Sequence, residues 1–91
     1  MYTIKKYSYE RAKRLGVKIK PSTRKNKKID VFKNNKRIAS IGALGYDDYP
    51  TFMQKEGKTS ANEHRRRYKI RHAKDRKLKG TPGYYADQVL W

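Results

Sequence analysis

The stretch Ile29-Asp30-Val31-Phe32-Lys33-Asn34-Asn35-Lys36-Arg37-Ile38-Ala39-Ser40-Ile41 decides the fold. Two runs that contain β-branched and apolar residues flank its central Asn-Asn pair. Asparagine tolerates the positive φ angles that a two-residue hairpin turn requires. We therefore predict a β-hairpin over residues 29–41.

The predicted turn also determines which residues face one another across the hairpin. The face expected to join the core carries these pairs: Val31 with Ile38, and Ile29 with Ser40. The other face carries Phe32 with Arg37, and Asp30 with Ala39. A candidate third strand is Val17-Lys18-Ile19-Lys20, which alternates apolar and basic residues and stops at Pro21.

Short helices are predicted around this sheet. Ser8 is a candidate N-cap for residues 9–15, which Gly16 ends. Pro50 is suited to a first helical turn, so residues 51–56 are predicted to be helical, with the acids before Pro50 as caps. Residues 84–91 form a short amphipathic segment that we expect to pack against the hairpin or a neighbouring molecule.

A strongly basic helix is predicted within residues 59–77. Ser60 and Glu63 have the spacing of a capping box, which predicts a helix from about Ala61 through at least Ala73. Lysines and arginines occupy nearly its whole circumference. Because such a helix repels itself, a binding role is more plausible than simple solvation.

These elements predict one α+β domain over residues 1–91, built on a β-hairpin or a three-stranded antiparallel sheet. Cysteine is absent, so no disulfide staples the small core. The expected structural anchors are Tyr68, Tyr85 and Trp91. Residues 22–28 form a polar basic segment that is predicted to be flexible, either as a solvated loop or as an arm that orders on a partner.

The formal net charge is +17, from 25 Lys and Arg against eight Asp and Glu. A chain of this size with such a charge requires an anionic counterpart: nucleic acid, acidic protein or an anionic membrane face. Two basic stretches supply the candidate binding residues, which are Arg24, Lys25, Lys27, Lys28, Arg65, Arg66, Arg67, Lys69, Arg71, Lys74, Arg76 and Lys77. No apolar run suits a transmembrane helix or a signal peptide, so we expect intracellular synthesis.

Catalytic and metal-binding patterns are lacking. His64 and His72 lie eight residues apart, whereas ligands on one helix need a spacing of three or four. Asp47-Asp48 is the only adjacent acidic pair, and helix capping at Pro50 explains it better than Mg²⁺ binding. We therefore expect no enzyme, metal or cofactor.

The chain resembles a family of small basic proteins found in large double-stranded DNA viruses of algae and protists, of the phycodnavirus and mimivirus kind, and in related phages. The residues that carry the resemblance are Ala12–Gly16, Ile19–Ser22, Lys28–Phe32, Ala39–Ala43, Gly45–Thr51, Arg66–His72 and Pro82–Trp91. The resemblance implies a viral protein made in an infected host cell, and makes a virion component plausible. It implies no catalytic or binding residues.

Two functions follow as expectations. The first is a minor capsid or other structural virion protein that cements acidic surfaces of larger capsid proteins through arginine forks. The second is sequence-independent binding of viral DNA for condensation or packaging, through phosphate contacts that weaken steeply with salt.

Overall fold

The computed structural model describes residues 2–91 and shows an α+β domain with one three-stranded antiparallel sheet of order β1-β2-β3. The helices and strands are α1 (Lys6–Leu15), β1 (Lys18–Pro21), β2 (Lys27–Lys33), β3 (Lys36–Ala43), α2 (Tyr49–Glu56), α3 (Lys58–Arg71), a one-turn 3-10 helix (Asp75–Lys77) and α4 (Pro82–Leu90). The predicted fold class is confirmed, and the third strand joins the hairpin. Within residues 2–91, no helix is both long and apolar enough to cross a membrane.

The hairpin turn is as predicted, but the register beyond it is not. Asn34 and Asn35 have φ angles of 53° and 64°, and Phe32 faces Arg37. Ile38 is then an extra residue on β3 that leaves a β-bulge. Beyond the bulge, the predicted pairs are replaced by Val31 with Ala39, Asp30 with Ser40, and Ile29 with Ile41. The bulge therefore aligns Ile41 with Ile29 on the buried face.

Two of the predicted helix starts are wrong. The first helix begins at Lys6, so Ser8 lies inside it, and its buried hydroxyl donates to the Val89 carbonyl at 3.0 Å. Helix α3 begins at Lys58, directly after Gly57, and Ser60 instead donates to Glu56 at the end of α2. Close packing of α2 against α3 therefore replaces the predicted capping box.

The start of α2 agrees with the sequence analysis. Asp48 is its N-cap and accepts from the Thr51 amide at 3.1 Å, with Pro50 in the first turn. The basic helix was predicted to run through at least Ala73, which is wrong: it ends at Arg71, and the chain then turns into the 3-10 helix. The basic residues after Arg71 are therefore not part of α3.

The core lies between one face of the sheet and helices α1 and α4. Ile29 and Val31 at its centre are fully buried, and Val89 of α4 packs into the same cluster. Tyr85 of α4 and Tyr68 of α3 are buried, whereas Trp91 is half-buried. Trp91 packs within this chain, because its ring stacks on Tyr68.

Segment 22–28 has specific partners in the fold. The Ser22 hydroxyl donates to Asp30 at 2.6 Å, and the Thr23 amide lies 3.4 Å from the same carboxylate. Lys27 and Lys28 are the first residues of β2. A turn around Asn26, whose φ is 66°, connects the two parts. The segment is therefore a strand connection in this structure.

Candidate polyanion-binding cleft

Asp48 is the most densely bonded carboxylate in the described chain. Besides capping α2, it accepts from the Tyr2 hydroxyl at 2.6 Å and from the Lys28 ammonium at 2.9 Å. Both members of the Lys28–Asp48 pair are almost wholly buried. Burial would raise the pKa of Asp48, but the hydrogen bonds from Tyr2, Thr51 and Lys28 outweigh it and hold that pKa below its ordinary value.

Asp30, on the middle strand, has a similar role. Hydroxyls of Ser22 and Ser40 donate to one of its oxygens at 2.6 and 2.7 Å, and Arg37 lies 3.7 Å from the other. Burial again opposes ionisation of this carboxyl, but these donors hold its pKa below the ordinary value. Asp30 of β2 thus connects Ser22, which follows β1, with Ser40 of β3, on the sheet face away from the main core.

Asp87 connects the C-terminal helix to the basic stretch. Its buried carboxylate accepts from Lys69 at 2.8 Å and lies 3.6 Å from Arg76. Two of the predicted binding residues are therefore engaged inside the fold. Arg76 is held so closely that its Nε atom is buried without a hydrogen-bond partner.

Across residues 2–91, every Asp and Glu side chain lies within 4 Å of a basic group of the same chain. Eight Lys and Arg side chains take part in these pairs, which leaves 17 of the 25 without a carboxylate partner among the described residues. Six of the eight carboxylates have a Lys or Arg partner, whereas Glu56 and Asp75 have only a histidine, which carries a charge only when protonated. Most of the positive charge is therefore not neutralised within the described chain.

The twelve predicted binding residues separate into three groups. Six are exposed and unpaired within the described chain, namely Arg24, Lys25, Lys27, Arg71, Lys74 and Lys77. Arg66 and Arg67 are exposed but share Glu63 as a partner. Four are engaged in the fold: Lys28 with Asp48, Lys69 and Arg76 with Asp87, and Arg65 with Tyr49 and Asn62.

The two basic stretches meet at one cleft. A cavity of about 530 Å³ lies between the end of β3 and helices α2, α3 and α4, and both Lys27 and Arg71 line it. A smaller hollow of about 350 Å³ adjoins it, shares Lys27 as a lining residue, and adds Arg24 and Arg37. We call the larger cavity the basic-aromatic cleft.

Six aromatic rings line the basic-aromatic cleft, and five of them contact one another in series. We call the series His64-Phe52-Trp91-Tyr68-His72 the aromatic ladder. Its successive ring centroids are 3.7, 6.2, 4.3 and 4.4 Å apart. The first and third of these contacts are nearly parallel stacks, at 8° and 6°. The ladder thus gives the cleft flat, polarisable walls.

Three cations and two acids line the cleft around the ladder: Lys27, Lys28 and Arg71, and Asp47 and Asp75. Burial, followed by the negative charges of Asp87 and Asp75, raises the pKa of Tyr68 to about 12, so its hydroxyl stays neutral at physiological pH. The two acids that line the cleft are partnered: Asp47 with Lys55 at 3.1 Å, and Asp75 with His72 at 3.7 Å. Within residues 2–91, no three His, Cys, Asp or Glu side chains are grouped to hold a metal ion.

A family model described as a family of unknown function, DUF5754, matches residues 17–72. The chain belongs to this family. The matched region of this DUF5754 protein holds the whole sheet and helices α2 and α3, and with them Lys27, Arg71 and four of the five ladder rings. Helix α4 and Trp91 lie outside it. No curated protein and no solved structure matches the chain.

The aromatic ladder was not predicted from the sequence, although part of its pattern is visible there. Residues 64, 68 and 72 follow one another at the four-residue spacing that places side chains on one face of a helix. That spacing alone is equally typical of a core stripe. Phe52 and Trp91 come from other elements, and their approach to α3 depends on the tertiary fold.

Proposed function

We propose that this DUF5754 protein is a non-enzymatic protein that binds nucleic acid through its phosphate backbone. The observation that supports this proposal is the pairing of charge: within residues 2–91 six of the eight carboxylates have a Lys or Arg partner and the other two a histidine, whereas 17 Lys and Arg have no carboxylate. Such cations gain most from a polymer that presents many negative charges and releases counterions on binding.

The distribution of the unpaired cations favours a long polyanion over a compact one. They lie before and on α1, on β1, in the turn before β2 and at its start, at the hairpin tip, on α3 and in the segment that follows it. No base-reading motif accompanies them, so the predicted contacts are sequence-independent. Condensation or packaging of a genome is the role that such binding would serve.

The test is a titration of the protein with duplex DNA between about 50 and 200 mM salt. We expect tight binding at low salt and a linear fall of log K with log salt. Replacing Arg24, Lys27 and Arg71 by alanine should reduce the slope by about one for each phosphate that the variant no longer neutralises. A slope near zero for the unaltered protein would contradict the proposal.

Lys13, Arg14 and Lys18 supply the matched control. They are also exposed and unpaired, but none lines the basic-aromatic cleft or the smaller hollow. Their replacement removes the same formal charge. An equal loss of slope in both triple variants would mean that DNA binds over the whole surface. A larger loss for the first triple variant would place the DNA-binding surface at the basic-aromatic cleft and the smaller hollow.

A second candidate function is a minor capsid or other virion component that cements acidic capsid proteins, in a particle assembled in the infected cell. The resemblance to viral proteins favours it. So do exposed apolar side chains, because Tyr46, Ile70 and Leu78 are 75%, 62% and 59% exposed. Two results would support this candidate: competition of poly-glutamate with DNA for the protein at equal charge concentration, and retention of the protein in capsid shells after nuclease treatment.

A further inference from the structure

We infer that the basic-aromatic cleft takes an unpaired nucleobase of a single-stranded nucleic acid, with Lys27 and Arg71 on the flanking phosphates. This inference rests on the proposed function and deepens it, because it specifies the form of the nucleic acid and the place of one base. Phosphate contacts alone would not make the protein prefer a single strand, whose bases are exposed, over a duplex.

The size and walls of the cleft suit a base. Its volume of about 530 Å³ lies within the range of small-molecule sites, which is about 300–1,000 Å³. Its ladder contains two nearly parallel ring stacks, and a base stacks on aromatic rings whatever its identity, because every base has a π-face. In a duplex the bases are stacked on each other and cannot enter a cleft in this way.

Tyr46 is the side chain best placed to cover an inserted base. It lines the cleft, yet it is 75% exposed, and no aromatic partner for it appears among the described residues. It follows Gly45, whose φ is 93°, in the connection between β3 and α2. A large ring left in water at a cleft mouth gains buried area when a second flat ring lies against it.

The polar groups of the cleft complement a phosphodiester rather than a particular base edge. Lys27 and Arg71 are exposed and unpaired in the described chain, so both are available to phosphate oxygens. Several of the other polar side chains are engaged: Ser40 donates to Asp30, His64 pairs with Glu56, and Lys28 with Asp48. Base preference should therefore be weak.

The experiment compares three fluorescein-labelled probes of about 12 nucleotides at one salt concentration: oligothymidine, an abasic strand of the same charge, and a duplex. We expect oligothymidine to bind at least about five-fold more tightly than the abasic strand. It should also quench the fluorescence of Trp91, the single tryptophan, which stands in the ladder.

Tyr46→Ala tests the residue assignment, with Tyr9→Ala as the matched control. Tyr9 is 48% exposed on α1 and does not line the cleft. Because Tyr46 is 75% exposed, its removal should leave the folded state intact, which circular dichroism checks. We expect Tyr46→Ala to reduce the preference for oligothymidine over the abasic strand at least about three-fold, and Tyr9→Ala to leave it unchanged.

Two failures are distinguishable. If oligothymidine, abasic strand and duplex bind equally and Trp91 fluorescence is unchanged, the base-binding inference is overturned while phosphate binding stands. If none of the three binds, both the inference and the proposed function are overturned. An unchanged preference in the Tyr46→Ala variant overturns the role of the cleft.

Discussion

Lys27 and Lys28 are neighbours on β2, yet one is exposed without a carboxylate partner and the other is buried in an ion pair. Lys28 points into an interior network and pairs with Asp48 at 2.9 Å, whereas Lys27 is exposed at the basic-aromatic cleft. The strand period of two separates them. The buried Lys28 has a carboxylate partner, whereas the exposed Lys27 has none within the described chain and is available to an anion from outside. Stability and binding should therefore respond to different residues.

The largest effect should come from acid. The folded-state pKa values of Asp48 and Asp30 are lowered by their donors, so these groups stabilise the fold above the unfolded pKa of about 4. That contribution is lost as the pH falls through their lower folded pKa values. Protonation also removes the anionic half of every pair and increases self-repulsion. We expect the protein to unfold cooperatively below about pH 4, and circular dichroism as a function of pH measures this transition.

Asp30→Asn provides the control for acid unfolding. The amide oxygen can still accept from Ser22 and Ser40, but it carries no proton-linked charge. The free energy of unfolding should then depend less steeply on pH below about 4. An unchanged slope would mean that Asp30 does not contribute to the acid transition.

Asp48→Ala should have the next largest effect. It removes the cap of α2 and leaves the Lys28 ammonium buried without a partner, which costs about 3–5 kcal/mol. Asp47→Ala makes the same charge change next to it, but Asp47 pairs with Lys55 at the surface, so its loss should cost less than about 1 kcal/mol. Similar costs for the two variants, by urea unfolding, would contradict the interior role of Asp48.

Gly42→Ala should destabilise the fold by roughly 2–4 kcal/mol, from backbone strain and overpacking together. Gly42 has a φ of 76°, and an added Cβ would meet Leu90 Cδ1 at 2.8 Å. Gly45 is the matched control: its φ is 93°, but its Cβ would meet nothing within 4 Å. Gly45→Ala should therefore cost only about 1 kcal/mol. Thermal unfolding of both variants checks this, and equal losses would show that α4 does not pack closely on β3.

The parts of the fold that could be predicted are those decided by neighbouring residues. Asn34-Asn35 can take positive φ whatever surrounds them, and Asp48 before Pro50 makes a helix start by itself. The bulge at Ile38 and the inward hydroxyl of Ser8 depend on α4 and the sheet, which no local pattern reveals. Tertiary packing therefore determined the register.

The candidate site divides in the same way. Composition shows an excess of positive charge, but it cannot show which cations meet a carboxylate. Lys28, Lys69 and Arg76 resemble their neighbours in sequence, and only the positions of Asp48 and Asp87 in space make them structural. The cleft itself joins residues from six elements, so it could not be predicted before the fold was known.

Adjacent arginines on α3 sharpen the comparison at a smaller scale. Arg65 lies 4.1 Å from the Tyr49 ring centroid and donates to Asn62, so Arg65→Ala should cost about 1–2 kcal/mol. Arg66 is exposed and pairs with Glu63, so Arg66→Ala should leave the unfolding midpoint unchanged. The binding assay should show the reverse order, with a lower salt slope for Arg66→Ala. Equal midpoints for the two variants would remove Arg65 from the structural group.

The smallest effect expected is a gain of affinity in Glu63→Gln. Glu63 occupies the guanidinium groups of Arg66 and Arg67, so its neutralisation frees two exposed cations and raises the net charge by one. We expect oligothymidine to bind about two-fold more tightly at low salt, with an unchanged unfolding midpoint. Glu10→Gln makes the same charge change on α1, where Glu10 pairs loosely with Lys6 at 3.8 Å. A larger gain in affinity for Glu63→Gln than for Glu10→Gln would place the oligothymidine along α3. Equal gains would mean that the affinity depends on net charge alone.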